Sequence, residues 1–246
     1  MNRLRKGIST ILPERAKTVL KKLIPLTSNT NQQAVGGKGP RGYVGGLWYE
    51  MGELQFKYLI ERGLRPEHTL LDIACGSLRL GSRVIPYLDR GNYLGIDIKE
   101  DLIEHGKMVE LGLTLYEIKI PEFVVSSSFE FNKFSKKPDV AVAQSLFSHL
   151  TENDIIMCLT NLSTFRKDTT VLYATFNEVN APVTNPARSD AHGFFQYARD
   201  QMEQIGRRTG WEMNYIGNWN HPRGQKMLRY TAPLNRPGRG AAGGAP

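Results

Sequence analysis

Residues 70–81 read Leu-Leu-Asp-Ile-Ala-Cys-Gly-Ser-Leu-Arg-Leu-Gly, an apolar run followed by a turn of small residues. The run is typical of a buried strand with the acidic Asp72 near its end, and a helix is expected after Ser77 with its amide groups facing the turn. Small side chains in such a turn let a bound molecule approach the main chain closely. The stretch therefore predicts a strand, turn and helix that can hold a ligand at the turn.

A second apolar run that ends in an acid follows at residues 93–97, which read Tyr-Leu-Gly-Ile-Asp. Asp97 lies 21 residues after Gly76, close to the spacing of about 20 residues that a strand-helix-strand unit supplies. A carboxylate at the tip of the second strand is a suitable hydrogen-bond partner for a ribose diol. Together the two stretches predict a nucleoside-containing cofactor.

Short apolar runs alternate with helix-like stretches from residue 68 onward, which is typical of a mostly parallel sheet. The last two runs are separated by about seven residues, too few for a parallel crossover, so they should form an antiparallel hairpin. We predict an α/β fold with a Rossmann-like seven-stranded mostly parallel sheet and a C-terminal antiparallel hairpin. The predicted strands span residues 69–74, 93–97, 123–126, 140–144, 170–176, 211–217 and 225–231, and the predicted helices span 47–64, 78–88, 101–111 and 153–165.

The positive charge of the chain is concentrated at its ends. The chain of 246 residues has a formal net charge of +8, yet residues 46–232 carry about −2. Residues 1–26 hold seven Lys and Arg against Glu14 alone, with apolar residues at helical spacing. Because the expected folded body is slightly acidic, the charge pattern argues against a nucleic-acid partner.

These patterns divide the chain into four segments. Residues 1–26 are a basic amphipathic extension that we expect to pack on the body or to be partly ordered, with an anionic lipid surface or an organellar transit peptide as alternatives. Residues 27–45, rich in small polar residues and Gly, are a predicted flexible linker. Residues 46–232 are the predicted cofactor-binding domain, and residues 233–246 are a predicted disordered tail.

Composition restricts the class of protein further. Cys75 and Cys158 lack the Cys/His spacing of a zinc site, so we expect no metal and a reduced, cytoplasmic setting. No apolar run approaches the roughly 18 residues that a membrane-spanning helix needs, which leaves peripheral membrane contact through residues 1–26 as the open alternative. The sequence does not set the oligomeric state.

Four segments, at residues 71–77, 95–98, 143–150 and 218–228, resemble the class I S-adenosylmethionine-dependent methyltransferases, in particular a bacterial small-molecule branch. The resemblance covers roughly residues 46–232 and implies S-adenosyl-L-methionine as the cofactor. The residues that it assigns to the cofactor are Asp72, Ala74 and Gly76 at the methionine end, with Cys75 and Ser77 in the same turn, Asp97 and Ile98 at the ribose and one adenine face, Ser127, Ser128 and Phe129 at the adenine edge, and Gln144 and Ser145 over the sulfonium.

The sequence departs from the family pattern near this cofactor. Ala74 stands where the family commonly has its first glycine, and Leu78 where a third often stands. We expect the alanine to be tolerated on the condition that the backbone there is not left-handed. Ser127 and Ser128 replace an acid usually found near the adenine. A nicotinamide dinucleotide is the competing cofactor, but the full G-x-G-x-x-G pattern is missing and it would not explain the terminal hairpin.

Methyl transfer requires a nucleophile in line with the methyl group and, for a hydroxyl, a base that removes its proton. The candidates for that base are His149, Asp190, His192 and His221. His149 follows the fourth predicted strand by a few residues and is the best placed, with a structural or helix-capping histidine as the alternative. His221 precedes Pro222 in a turn and is expected to be structural.

Residues 177–200 follow the fifth predicted strand and would overhang the methyl-donating end of the cofactor. Their mixture of polar and aromatic side chains favours a hydroxylated acceptor such as a sugar, and the alternative is an ordinary connection whose aromatic residues cover the core. We predict methyl transfer to a small-molecule or glycan acceptor, with oxygen favoured over nitrogen. An RNA methyltransferase that uses the basic extension and a noncatalytic cofactor-binding protein are the alternatives.

Overall fold

The computed structural model describes residues 39–233, so the predicted extension at residues 1–26, its suggested membrane contact and nearly all of the predicted tail lie outside the described residues. The helices are α1 (Pro40–Tyr43), α2 (Trp48–Glu61), α3 (Gly81–Tyr87), α4 (Glu100–His105), a π-helical segment (Gly106–Leu111), α5 (Leu113–Lys119), a 3-10 turn (Phe131–Lys133), α6 (Glu152–Phe165) and α7 (Arg199–Arg208). The strands are β1 (Leu70–Ile73), β2 (Tyr93–Asp97), β3 (Glu122–Val125), β4 (Val140–Ala143), β5 (Val171–Val179), β6 (Gln196–Ala198), β7 (Glu212–Gly217) and β8 (Lys226–Thr231).

Eight strands form one sheet whose main path runs β3-β2-β1-β4-β5-β8-β7. Neighbours from β3 to β5 are parallel, whereas β8 joins β5 and β7 joins β8 in antiparallel fashion. The predicted α/β fold with a terminal hairpin is confirmed. The predicted count of seven strands is wrong by one, because β6 pairs in parallel with the end of β5. With three residues, β6 is too short to show a strand pattern in the sequence.

The core fills both faces of the sheet, because successive residues of a strand point to opposite faces. In β1, Leu71 and Ile73 join one buried apolar cluster, whereas Leu70 joins the other. Helices α6 and α7 cover the first cluster, and α2 and α3 cover the second. Every residue of β1 and β2 is buried, so the carboxyl ends of these two strands rest on a packed core.

The helices that follow β1 and β2 differ from the predicted helices. The helix predicted at residues 78–88 begins only at Gly81, because Leu78 adopts a left-handed backbone conformation (φ 67°) that an α-helix excludes. The helix predicted at residues 101–111 is α4 followed by the π-helical segment. Helices α5 and α7 lie where no helix is predicted.

Part of the predicted flexible linker is ordered. Of residues 27–45, those up to 38 lie outside the described residues, but Pro40–Tyr43 form α1. Proline suits the first position of a helix, where its missing N–H is not needed. The sequence does not predict this short helix, because a composition rich in small polar residues and Gly does not reveal the tertiary contacts that the carbonyl oxygens of the segment make.

Two kinds of feature are missing from the described part of the chain. No helix between residues 39 and 233 combines the length and the apolar character needed to span a bilayer. The same residues contain no group of three or more His, Cys, Asp and Glu side chains placed to share a metal ion. Both cysteines, Cys75 and Cys158, are buried free thiols.

Candidate functional site

The turn after β1 lies beside the tip of β2. Asp72 is opposite Gly95 in the parallel register, so the two strands end at the same edge of the sheet. The Asp97 carboxylate accepts hydrogen bonds from the backbone N–H of Gly76 at 2.8 Å and of Lys99 at 2.9 Å. Burial raises the pKa of Asp97, and the backbone N–H donors oppose that shift. Asp97 therefore ties the turn to the second strand.

Asp72 lies beneath the turn, with only 4% of its surface exposed. The hydroxyl of Tyr93 donates a hydrogen bond to Asp72 Oδ2 at 2.8 Å. Burial raises the pKa of Asp72 to about 6, although the Tyr93 hydrogen bond and the charge of Arg79 oppose the shift. The assignment of Asp72 to the methionine end of a cofactor stays a prediction, because the contact that its carboxylate makes here is to Tyr93.

The turn has a left-handed backbone at alternate residues, with φ angles of 62° at Ala74, 53° at Gly76 and 67° at Leu78. The condition under which Ala74 is expected to be tolerated is not met, because its backbone is left-handed, and a left-handed residue with a side chain costs about 1–2 kcal/mol. Leu78 is fully buried, and its Cγ lies 2.5 Å from the place where a Cβ on Gly106 would stand. The packing of Leu78 against Gly106 therefore holds the turn in this conformation.

Cys75 and Ser77 are buried within the turn. The Sγ atom of Cys75 lies 3.1 Å from where a Cβ on Gly95 would stand, and burial raises the pKa of the thiol. The Ser77 hydroxyl donates to the carbonyl oxygen of Pro40 at 3.3 Å. Cys75 is thus a protonated packing residue, and Ser77 connects the turn to α1.

An apolar shelf extends from the tip of β2 to the end of β3. Ile98 has 64% of its surface exposed and Val125 has 45% exposed. Exposed apolar side chains beside the Asp97 carboxylate suit a purine attached to a sugar. The Ser126 N–H donates to the carbonyl oxygen of Asp97 at 3.0 Å, which brings the following residues to the same edge. Those residues are Ser127, Ser128 and Phe129.

An acid, Glu130, does lie near this edge. It comes two residues after the pair Ser127 and Ser128, which stand where the family usually has its acid. The Glu130 carboxylate accepts hydrogen bonds from Lys133 Nζ at 2.8 Å and from Ser126 Oγ at 3.0 Å, and both contacts lower its pKa. The left-handed backbone at Phe129 (φ 55°) turns the chain so that Glu130 approaches Ser126. A sequence pattern that expects the acid at the position of Ser127 or Ser128 misses Glu130 for this reason.

A polar network lies where β4 ends. Ser145 Oγ donates to Gln225 Oε1 at 3.0 Å, and Thr175 Oγ1 donates to the same oxygen at 2.8 Å. Gln144 Nε2 donates to Ser145 Oγ at 3.1 Å, whereas Gln144 Oε1 is buried without a hydrogen-bond partner among residues 39–233. An unsatisfied buried acceptor costs about 1–3 kcal/mol. A ligand with a hydrogen-bond donor would be stabilised at this oxygen.

His149 follows β4, and one of its ring nitrogens is fixed by a backbone carbonyl. His149 Nδ1 lies 2.7 Å from the carbonyl oxygen of Gly193. Because a carbonyl only accepts, this contact places the ring proton on Nδ1 and leaves a lone pair on Nε2. Burial lowers the pKa of His149, so the ring is neutral at neutral pH. A neutral ring with a lone pair on Nε2 meets the chemical requirement for a base, and the catalytic role of His149 stays a prediction.

The loop after β5 brings the other two predicted catalytic residues to His149. The Asp190 N–H donates to the carbonyl oxygen of His149 at 3.0 Å, and Asp190 Oδ1 accepts from the His192 N–H at 2.7 Å. The carboxylate of Asp190 therefore supports the backbone of the loop rather than a histidine ring. The His192 ring packs edge-on against Tyr43, with 4.9 Å between ring centroids.

His221 lies in the turn between β7 and β8. Its ring packs on Trp219 at 5.4 Å between centroids, and its Nδ1 accepts a hydrogen bond from the Arg223 N–H at 3.2 Å. Burial and the charges of Arg79 and Arg223 lower the pKa of His221 to about 4. These contacts agree with the structural role expected for His221.

Residues 39–46, which we call the strap, cross over the turn. Arg79 Nη1 donates to the carbonyl oxygen of Val44 at 2.8 Å. The side chain of Val44 covers Gly76, since a Cβ on Gly76 would lie 2.7 Å from Val44 Cγ1. The strap therefore fills the space directly above the turn.

Two side chains of the strap reach both ends of the site. Arg41 forms a two-pronged ion pair with Glu110, each N–O distance being 2.7 Å. The Tyr43 ring lies between Lys99, whose Nζ is 5.2 Å from the ring centroid, and the ring of His192. The strap thus spans from the tip of β2 to the loop that carries His192.

No protein-family model matches the chain. Magnesium protoporphyrin IX methyltransferase (ChlM) from Synechocystis PCC 6803, crystallised with bound SAM, aligns with a TM-score of 0.55 at 13% identity, over 91% of this chain and 99% of that one. A TehB-like SAM-dependent methyltransferase from Corynebacterium glutamicum aligns with a TM-score of 0.51 at 16% identity, over 90% and 100%. The mitomycin 7-O-methyltransferase MmcR aligns with a TM-score of 0.54 at 13% identity, over 73% of this chain and 54% of that one.

The chain has the fold of the S-adenosylmethionine-dependent methyltransferases. Identities this low concern the fold, so the site has to be judged by its own chemistry. In this methyltransferase fold, the residues that sequence reasoning misses come from distant parts of the chain. They are Tyr43, Arg79, Glu130 and Gln225. Arg79 lies within the stretch of residues 70–81 and Gln225 within the resembling segment at residues 218–228, but neither pattern gives these side chains a role. Glu130 directly follows Phe129, and Tyr43 lies in no predicted motif.

Proposed function

We propose that the protein is an S-adenosylmethionine-dependent methyltransferase that transfers the methyl group to an oxygen of a small-molecule or glycan acceptor. The observation that carries the proposal is the position of His149. This residue follows β4, whose carboxyl end lies at the same sheet edge as the turn and Asp97, and its Nε2 carries the lone pair. ChlM, whose fold this chain shares, was crystallised with bound SAM, and MmcR is a 7-O-methyltransferase.

The residues at the turn fit an adenosyl cofactor. The carboxylate of Asp97 lies at the tip of β2, where a ribose would be held, and the exposed side chain of Ile98 offers an apolar face for the adenine. Ala74 and Gly76, both with a left-handed backbone, form the turn beside that carboxylate. Val44 would have to move, because it covers Gly76. The fit therefore requires the strap to shift when the cofactor enters.

The cofactor supplies an electrophilic methyl group, so the chain has to position the acceptor and remove a proton. His149 Nε2 accepts the proton of an acceptor hydroxyl as the oxygen attacks, while the Gly193 carbonyl stabilises the positive charge that the ring gains. The lowered pKa of His149 keeps Nε2 unprotonated before the reaction. Gln144 Oε1, buried and unpartnered among the described residues, can accept a second hydroxyl of the acceptor.

Two measurements test the proposal. Calorimetry with S-adenosylhomocysteine should give a dissociation constant in the micromolar range, about −8 kcal/mol, and NAD should not bind. Methyl incorporation from labelled S-adenosylmethionine should be found with members of a panel of sugars and small hydroxylated compounds. Binding of NAD in place of S-adenosylhomocysteine would overturn the cofactor, and binding without transfer to any acceptor would favour a noncatalytic protein.

A further inference from the structure

Two arginine side chains meet on consecutive carbonyl oxygens of the strap. Arg79 Nη1 donates to Val44 O at 2.8 Å and to Gly46 O at 3.3 Å. Arg223 Nη2, which comes from the turn between β7 and β8, donates to Gly45 O. The two guanidinium groups are close enough that the charge of Arg223 acts on Arg79. A segment of neutral carbonyls is thus the common partner of two cations.

Neither cation has a carboxylate in contact among residues 39–233. Burial lowers the pKa of Arg79 to about 10, and Asp72 is the carboxylate whose charge opposes that shift, but its Oδ2 accepts from Tyr93. By contrast, Arg41 holds Glu110 with two hydrogen bonds. A guanidinium binds a carboxylate or phosphate roughly twice as strongly as a neutral acceptor. An anion would therefore bind Arg79 and Arg223 better than the strap carbonyls do.

The pair lies between the turn and the base. Arg79 directly follows the left-handed Leu78 of the turn. Arg223 is exposed, and its charge reaches both His149 and His221. The pair is thus open to solvent on the side of Arg223, which is close enough to His149 for its charge to act on the ring.

We propose that Arg79 and Arg223 bind a carboxylate or phosphate group of the acceptor, replacing the carbonyl oxygens of the strap. The inference rests on the proposed function, which it deepens by naming the acceptor as a small anionic compound. Its anionic group lies at the arginine pair, and the atom to be methylated lies at His149. The other source of a carboxylate is the methionine end of the cofactor, and the experiment separates the two.

The first arm measures anion binding by the full chain, using inorganic phosphate in place of the acceptor. Phosphate is titrated at constant ionic strength into protein saturated with S-adenosylhomocysteine, and the dissociation constant is read from the rise in the thermal unfolding temperature. Arg223→Gln should weaken phosphate binding at least tenfold without lowering the affinity for S-adenosylhomocysteine by more than twofold. Arg90→Gln, an exposed arginine before β2, is the control and should leave phosphate binding unchanged.

Arg79→Gln would disturb the turn, so the outcome of this experiment is judged on Arg223→Gln, at the exposed arginine. Phosphate binding that is absent in the wild type or unchanged in Arg223→Gln overturns the proposal. A tenfold loss of S-adenosylhomocysteine affinity in Arg223→Gln also overturns it, because the arginine would then hold the carboxylate of the cofactor. If S-adenosylhomocysteine does not bind the wild type at all, the proposed function fails. Phosphate binding to the arginine pair is then measured in the absence of S-adenosylhomocysteine.

The second arm compares acceptors in matched pairs. Methyl incorporation is measured with sugar phosphates and uronic acids against their neutral parent sugars. The anionic member of a pair should have a KM at least tenfold lower, and Arg223→Gln should abolish that difference. Equal KM values within the pairs in the wild type would contradict an anionic acceptor.

Discussion

The two sides of the candidate site are held by different interactions. On the turn side, every residue of β1 and β2 is buried, and Asp97 accepts two backbone hydrogen bonds there. On the strap side, residues 39–46 are held by hydrogen bonds to their carbonyl oxygens and by the Arg41–Glu110 ion pair. In the loop at residues 180–195, Phe195 is buried but Phe194 is 65% exposed. Substitutions on the turn side should therefore affect folding and cofactor affinity, whereas those on the strap side should affect turnover.

The largest effect is expected on the strap side, from His149→Ala. Removing a positioned base lowers kcat by about 100-fold or more, while S-adenosylhomocysteine affinity should stay within about twofold. Single-turnover methyl transfer measures the first and calorimetry the second. His68→Ala, at the opposite end of β1, is the matched control. Wild-type kcat in His149→Ala would remove the base from the mechanism.

The pH profile sharpens the same assignment. Burial lowers the pKa of His149 below the ordinary histidine value of 6.5. The neutral ring is the active form, so kcat should be constant at neutral pH and fall only as the pH drops through the lowered pKa. A fall that begins above pH 6.5 would contradict the assignment.

The second effect concerns Asp72 and the stability of the turn side. Its pKa is raised from 3.8 to about 6 in the folded protein, so the folded state binds the proton more tightly. The contribution of Asp72 to the free energy of unfolding is fully present below its unfolded pKa of 3.8. About 3 kcal/mol of that free energy is lost as the pH rises through the folded pKa of about 6. In urea unfolding, the free energy of unfolding of Asp72→Asn should therefore rise relative to that of the wild type between pH 4 and pH 7.

The exposed acid Asp101 supplies the comparison for that titration. Asp101→Asn, measured by the same urea unfolding, is the control for removing a carboxylate from the surface. A pH dependence of the unfolding free energy that is the same in Asp72→Asn and in the wild type would show that burial does not raise the pKa of Asp72.

The third effect is on cofactor affinity, through Asp97→Asn. The asparagine keeps one acceptor for a backbone N–H but loses the charge that would bind a ribose diol, which should cost about 2 kcal/mol of S-adenosylhomocysteine binding. Calorimetry should thus give an affinity about 30-fold weaker. Asp101→Asn again serves as the control, and equal loss in both variants would argue against a ribose contact at Asp97.

The smallest effect is expected at Ala74. Replacing it with glycine removes the strain of a left-handed alanine, at φ 62°, and should raise the free energy of unfolding by about 1 kcal/mol. Ala143→Gly, in the buried strand β4, should lower it by a similar amount. Opposite signs for the two variants, measured by urea unfolding, support the left-handed turn, and a loss in both contradicts it.

The features that the sequence predicts are those that depend on residues close together along the chain. The apolar run before Ala74 and the one that ends at Asp97 predict two parallel strands, because burial on both faces requires continuous apolar residues. The short spacing between the last two strands predicts the hairpin. The position of His149 after β4 follows from the same alternation of strands and helices.

Sequence by itself determined the sheet, the turn between its first two parallel strands and the acid at the second tip, since each depends on residues that are close along the chain. Tertiary structure alone decided the left-handed conformation of Ala74, the eighth strand, the strap and the meeting of Arg79 with Arg223. Arg223 contacts Gly45 across 178 positions of sequence. Such a contact forms only once the sheet has brought the two ends of the domain together. A local sequence pattern does not predict which carbonyl oxygen a distant arginine contacts.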